Sequence, residues 1–291
     1  MPLRTRAILL GLFLAFGPRA AAAELLGATE IDGKLAPALR RVKTASIRVY
    51  AFSGSTARPI PFQVDERDHR NRWVIDHGPK PNRDDSPGVF DENDAVVFSN
   101  RDLGAIGEQS ALPAGAERWL EVRLGGAEKP LGFAYVGVFA TPPALAPDPG
   151  QVRYDWGRDR VFARRYALGF DGPLPNHIAF VDRVGDWGEN RLSAVRARGE
   201  ARLFGGLITI ARDESAIEVE REGYRAGPVR AIRRGNYWIR LPLGFKARGR
   251  VDLIFYADFV AVRAVAKIKI PPSLVPGDGE MTAAFDFRSL D

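Results

Sequence analysis

Apolar and polar residues alternate with period two through much of the chain. Ile60, Phe62 and Val64 alternate with Pro61, Gln63 and Asp65, and Ile217 and Val219 alternate with Glu218 and Glu220. Ala266, Ile268 and Ile270 do the same around Lys267 and Lys269. Successive side chains of a strand point to opposite faces, so each run predicts a strand with one dry and one wet side. The run PIPFQVDERDHRNRWVID (59–76) predicts a hairpin with strands near 60–65 and 72–76, and Ala95 to Ser99 predicts a further strand. Two stretches depart from simple alternation. ARLFGGLITIAR (201–212) is too apolar for a one-sided strand and is expected in the middle of the core, with Gly205-Gly206 marking a bulge or a close backbone approach. Within 227–243 the apolar phase slips at Ile232-Arg233, as a bulge or bend would cause, and 250–270 is long enough for two strands turning near Asp258. Helical candidates are confined to 34–43 and part of 101–118. The pattern predicts an all-β fold, an antiparallel β-sandwich or a pair of them, with few short helices.

Glycine (30) and proline (21) punctuate these strands. TPPALAPDPG, residues 141–150, has four prolines in ten positions and reads as an extended, Pro-rich linker. It divides the chain into two β-rich domains, 24–140 and 151–291; the alternative is a long loop inside one double-layered sandwich. A short unit is written twice: Asp155-Trp156-Gly157 matches Asp186-Trp187-Gly188, and Arg160, Ala163 and Arg165 then fall on Arg191, Ala194 and Arg196. Asp bonds the backbone and Gly supplies a positive φ, so each copy predicts a turn feeding a strand.

The first residues change the picture of where this fold works. Arg4 and Arg6 precede an apolar run at 7–16, Gly17-Pro18 breaks it, and small residues at 20–23 follow. This is the layout of a secretory signal peptide, 1–23, cleaved after Ala23. The apolar run falls well short of the roughly 20 residues a spanning helix needs, so no transmembrane segment is expected after cleavage. The expected destination is the periplasm or the exterior. The chain has no cysteine, which excludes disulfides, thiol catalysis, cysteine-ligated metal and a lipidated N-terminus.

The formal net charge of +6 is unevenly spread: 196–250 holds 13 basic residues against 6 acidic ones. A basic stripe suits an anionic polymer, or else arginine fills the wet face of a sheet. Export argues against a nucleic-acid partner. No G-x-S-x-G, phosphate loop or dinucleotide fingerprint is present, which argues against an α/β-hydrolase or a nucleotide enzyme.

Three sets of candidate residues remain. Trp156 and Trp187 sit in turns between Asp and Gly, and aromatic faces stack on the apolar C–H edges of sugars. With Arg160 and Arg191 they are the candidate ligand-binding residues. Acidic residues crowd the loops at 65–68 and 84–94. Asp65 or Asp68 facing Asp91 or Asp94 would make a catalytic carboxylate pair if the two loops met. Asp84, Asp85, Asp91 and Asp94 are candidate Ca²⁺ ligands, since calcium takes six to eight oxygens in irregular geometry, although their spacing is not that of an EF-hand and β-turns use the same residues. His69, His77 and His177 lack the spacing of a zinc site. Apart from that possible calcium, no cofactor is expected. The leading expectation is an exported, non-catalytic β-sandwich that binds a polysaccharide or an anionic envelope polymer. The alternatives are a carbohydrate-active lyase or hydrolase working through the acidic loops, and a structural subunit of an envelope assembly.

Overall fold

The computed structural model describes residues 14–15, 27–126, 128, 130–145, 150–203, 208–240, 246–267 and 278–287. The expected signal segment lies outside the described residues except for β1 (Leu14–Ala15). The fold is all-β, with antiparallel sheets, and among the described residues the only helical elements are 3₁₀ turns. Among the described residues no helix is long and apolar enough to cross a membrane.

The N-terminal half contains β2 (Ala28–Asp32), β3 (Ile47–Ser53), β4 (Thr56–Pro59), β5 (Phe62–Asp65), β6 (Ala95–Ser99), β7 (Ala116–Gly125) and β8 (Pro130–Phe139). They form two sheets, in the orders β2-β6-β5 and β4-β3-β8-β7. Ile47, Val49 and Ala51 of β3 and Ala134, Val136 and Val138 of β8 meet Ile31, Val96 and Phe98 of the other sheet, which makes a sandwich core. The period-two pattern is what places these alternate residues on one face. The opposite face of β3 and β8 carries Tyr50, Phe52, Tyr135 and Phe139 in an aromatic cluster with Leu112 and Trp119.

The C-terminal half contains β9 (Val152–Asp155), β10 (Arg160–Ala163), β11 (Tyr166–Phe170) and β12 (Pro175–Phe180), in the order β12-β11-β10-β9. A second sheet joins β15 (Ile217–Ala226), β16 (Ala231–Arg240), β17 (Lys246–Phe255) and β18 (Phe259–Lys267), with β1 on the edge of β18. A third joins β13 (Leu192–Leu203), β14 (Ile208–Asp213) and β19 (Asp278–Phe287) in the order β14-β13-β19. Val161, Tyr166, Leu168 and Ile178 pack on Ala231, Phe255 and Val260, so the first two of these sheets form a second sandwich.

The sheet of β15 to β18 is buried on its other face too. Trp73 and Ile75 from the N-terminal half pack there against Ile232, Ile254, Tyr256 and Phe259. This cluster crosses the expected boundary at 141–150, of which 146–149 lie outside the described residues. Double burial explains the phase slip at Ile232-Arg233. β16 pairs with β17 in unbroken register from Ala231 to Arg240, so no bend lies there. Its residues face two dry layers in turn, and the register shift sits on β15, between Arg221 and Gly223.

Other expectations are corrected in the same way. Residues 72–76 form no strand: Val74 N donates to Glu66 O and Ile75 N to Asn82 Oδ1, and only an isolated bridge joins Trp73 to Arg67. Residues 201–212 fall on two strands, since Leu203 pairs with Ile208 and β13 runs antiparallel to β14. Gly205-Gly206 lie outside the described residues. The stretch 34–43 yields the 3₁₀ turn Pro37–Leu39, and 101–118 yields Asn100–Asp102, Gln109–Ala111 and the start of β7. The turn near Asp258 joins β17 to β18. In the first D-W-G copy Trp156-Gly157 open a turn that feeds β10, whereas in the second the turn comes earlier, at Val184-Gly185, and Asp186-Trp187-Gly188 lie in irregular chain ahead of β13.

Candidate functional site

The two acidic loops meet. Asp68 folds the first onto itself: its Oδ1 accepts Arg70 N and Arg72 N, and its Oδ2 accepts Arg72 Nε and Asn82 Nδ2. These donors, together with the Arg72 charge, hold its carboxyl below the usual range despite burial. The second loop turns on Asp91, whose Oδ1 accepts Asn93 N and Asp94 N. Asn93 Nδ2 donates to Asp68 O and Arg67 N to Asp94 Oδ1, and these two bonds tie the loops together.

Where they join, carboxylate oxygens of Asp84, Asp91 and Asp94 lie within 4.8 Å of one another. Asp84 and Asp94 are buried and Asp91 is half-buried. Both oxygens of Asp94 accept backbone N–H bonds, from Arg67 and Asp91, and both of Asp84 do, from Asp85 and Ser86. Among the described residues no Lys, Arg or His forms an ion pair with any of the three. Burial therefore dominates: Asp94 is pushed up to about 7, the neighbouring Asp91 and Asp84 charges adding to the effect, and Asp84 is raised as well. The oxygen spacing suits one calcium ion, whose ligands stand 2.3–2.6 Å from it. Asp85 is not in the trio; it is exposed and lies 3.6 Å from His69.

Asp65 has a different fate. It is fully buried, and its carboxylate is held by Arg230, Arg225 and Gln63 Nε2. Asp65 and Asp68 are thus each paired with arginines, Asp65 with Arg230 and Arg225 and Asp68 with Arg72. Of the expected catalytic residues Asp91 and Asp94 come together, and Asp94 has no exposed surface.

Beside the trio the two loops and the turn after β2 enclose a cleft of about 490 Å³. Asp32, Lys34, Arg67, Asn71, Asp91 and Asn93 are among its lining residues, and every side chain in the lining is polar or charged. Arg67 is fixed by Asn71 Oδ1 and Glu30 Oε2, and Asn71 takes a positive φ of 57° at the tip of its turn.

The two tryptophans present no such opening. Arg160, Gly169 and His177 are cross-strand neighbours on β10, β11 and β12. The Trp187 ring stands edge-on above Gly169, where a Cβ would come within 2.8 Å of it. His177 stacks on Trp187 at 3.9 Å, and the Arg160 guanidinium lies 4.1 Å from its centroid. Two groups that close to one centroid must occupy opposite faces. Trp156 stacks on Tyr224 at 5.6 Å with the Arg221 guanidinium 4.4 Å from its centroid. Arg191 pairs with Glu189 instead of joining either ring. Of the two candidate rings, Trp187 is covered on both faces, and Trp156 is half-buried against the core.

Three of the thirteen basic residues of 196–250 are internal. Arg230, Arg233 and Arg234 are 0%, 1% and 3% exposed. They pair with Asp65, Asp159 and Asp252. Sequence reasoning missed these three; the phase slip at Ile232-Arg233 was their signal. Family models, curated proteins and solved structures give no match to the chain.

Proposed function

We propose that the protein is exported and binds a glycan or an anionic envelope polymer without acting on it, and that the polymer lies in the cleft between the acidic loops. The cleft carries this reading. Its lining offers carboxylates, amides and an arginine already fixed by their own hydrogen bonds. Ordered donors and acceptors match hydroxyl-rich ligands, because little freedom is left to lose on binding. A non-catalytic role fits the burial of Asp94 and the pairing of Asp65 and Asp68 with arginines. The test is calorimetry against neutral and acidic polysaccharides with the exposed lining residues changed together, Lys34→Ala and Glu92→Ala. Binding about tenfold weaker in the double variant is expected. No binding to any polysaccharide, or binding unaffected by the change, overturns the reading.

One observation favours the carbohydrate-active alternative, namely the contact of Asp91 with Asp94, a carboxyl half-protonated near neutrality. A hydrolase or lyase would release reducing ends or unsaturated sugars, and Asp91→Asn would abolish that release while the fold persists. Absence of release across the same panel removes this reading.

A further inference from the structure

Trp73 is 4% exposed, and its Nε1 donates to no acceptor among the described residues. The same holds for Arg67 Nε, which is also buried. A buried donor without an acceptor loses the hydration it had in the unfolded chain and gains nothing in return, so two of them together ask for a shared partner. Three guanidinium carbons surround the Trp73 ring: Arg263 at 4.9 Å, Arg67 at 5.4 Å and Arg230 at 5.6 Å from its centroid.

The carboxylates nearby do not balance this charge. Glu30 is shared by Arg67 and Arg230, while Asp65 is shared by Arg230 and Arg225. Arg225 also reaches the exposed Asp76 at 3.7 Å. Arg263 has no ion pair among the described residues, and its cross-strand neighbour Asp252 is taken by Arg234. Arginine does not shed its proton to relieve such crowding, so the excess stays positive at any working pH. Burial and the facing Arg230 and Arg263 charges pull Arg67 below its ordinary value, against Glu30 and Asp65.

We propose that Arg263 and Arg67, with Trp73 Nε1, bind an oxyanion (a carboxylate, sulfate or phosphate) carried by the polymer whose chain occupies the neighbouring cleft. The inference rests on the cleft reading for the source of the anion, but not for the site itself. Arg67 belongs to both, as it lines the cleft and stands over Trp73. Planar guanidinium forks match oxyanion geometry, and an indole N–H adds a single directed donor.

The experiment uses the full-length protein with sodium sulfate, dextran and dextran sulfate as probes, read by calorimetry and tryptophan fluorescence. Dextran and its sulfate share a backbone, so any difference between them reports the anion. Wild type is expected to bind dextran sulfate at least tenfold more tightly than dextran. Arg263→Gln should abolish the preference, and Arg263→Lys should keep part of it. Exposed Arg183→Gln controls for net charge and should leave the preference intact. Sulfate alone should perturb the fluorescence of wild type and of Arg183→Gln, but not of Arg263→Gln. Equal binding of the two dextrans, or an unchanged preference in Arg263→Gln, overturns the oxyanion site and leaves the cleft reading standing. A sulfate response lost in Arg263→Gln, with neither dextran bound, supports the site and overturns the cleft reading.

Discussion

Asp65, Asp159 and Asp252 each lie against an arginine of β16 or its entry, whereas Asp84, Asp91 and Asp94 lie against one another. Five of the six lie at the end of a strand or in a loop, and Asp252 lies within β17. In the first group the fold brings its own cation, and each guanidinium reaches further acceptors, as Arg230 does with Glu30 and Tyr256. In the second group it brings only backbone N–H donors, and at Asp84 and Asp94 the protonated form gains ground. The difference teaches that burial alone does not decide what a carboxylate becomes; the charge of what is buried with it does.

The largest effect should come from breaking the compensated group. Arg230→Met leaves Asp65 fully buried beside Gln63 with only Arg225 in reach, at 3.5 Å. A loss of about 3–5 kcal/mol is expected in urea denaturation. The double variant Arg230→Met, Asp65→Leu should recover most of it, since no lone charge remains. A small loss in the single variant would mean that the arginines are interchangeable.

The acidic trio should respond to pH instead. Asp94 has a folded pKa of about 7 against a reference of 3.8, so it is protonated in both states at low pH. Between about pH 4 and 7 the unfolded carboxyl ionises first, and stability falls as pH rises, by about 4 kcal/mol in all. Asp94→Asn should flatten that slope, as read by denaturation midpoints at pH 4, 6 and 8. Millimolar calcium is the direct check on the missing charge: a bound cation flattens the slope in wild type, and an unchanged slope leaves the trio to its backbone donors.

The tryptophan pair sharpens the contrast at lower energy. Trp187→Ala should cost about 1–2 kcal/mol, less than a fully buried tryptophan, and should leave polysaccharide binding unchanged. Weaker binding with unchanged stability would restore Trp187 as a ligand contact. The smallest effect concerns His177, whose pKa is lowered by burial and by Arg160, against its bond to Trp187 O. A group that resists protonation on folding loses stability as pH falls, so the NMR midpoint of its imidazole should lie below 6.5 and move up in Trp187→Ala.

Much of this architecture was legible in the alternation of side chains. Strands such as Phe62–Asp65 and Ile217–Ala226 follow from period two, which depends only on neighbours in the chain. Arg233 and Arg234 were not legible, because an arginine on a wet face and one facing a buried aspartate look alike until the second layer is placed. The covering of Trp187 was hidden for a related reason. Its two covers come from β10 and β12, and their register is set across strands. The convergence of the acidic loops depended on long-range contacts such as Asn93 to Asp68 O, of which the spacing of the aspartates gives no hint.

Gln63 joins the halves directly: its Oε1 accepts both Val229 N and Arg230 N, a few ångströms from the Asp65–Arg230 pair. The chain is therefore hard to cut. Fragments severed within 141–150 would each uncover half of a charged joint and a torn apolar patch, Trp73 and Ile75 on one and Ile232 and Phe259 on the other. Co-expressed, the same pieces should find each other and restore one cooperative unfolding transition, the behaviour of a split protein and not of two beads on a string.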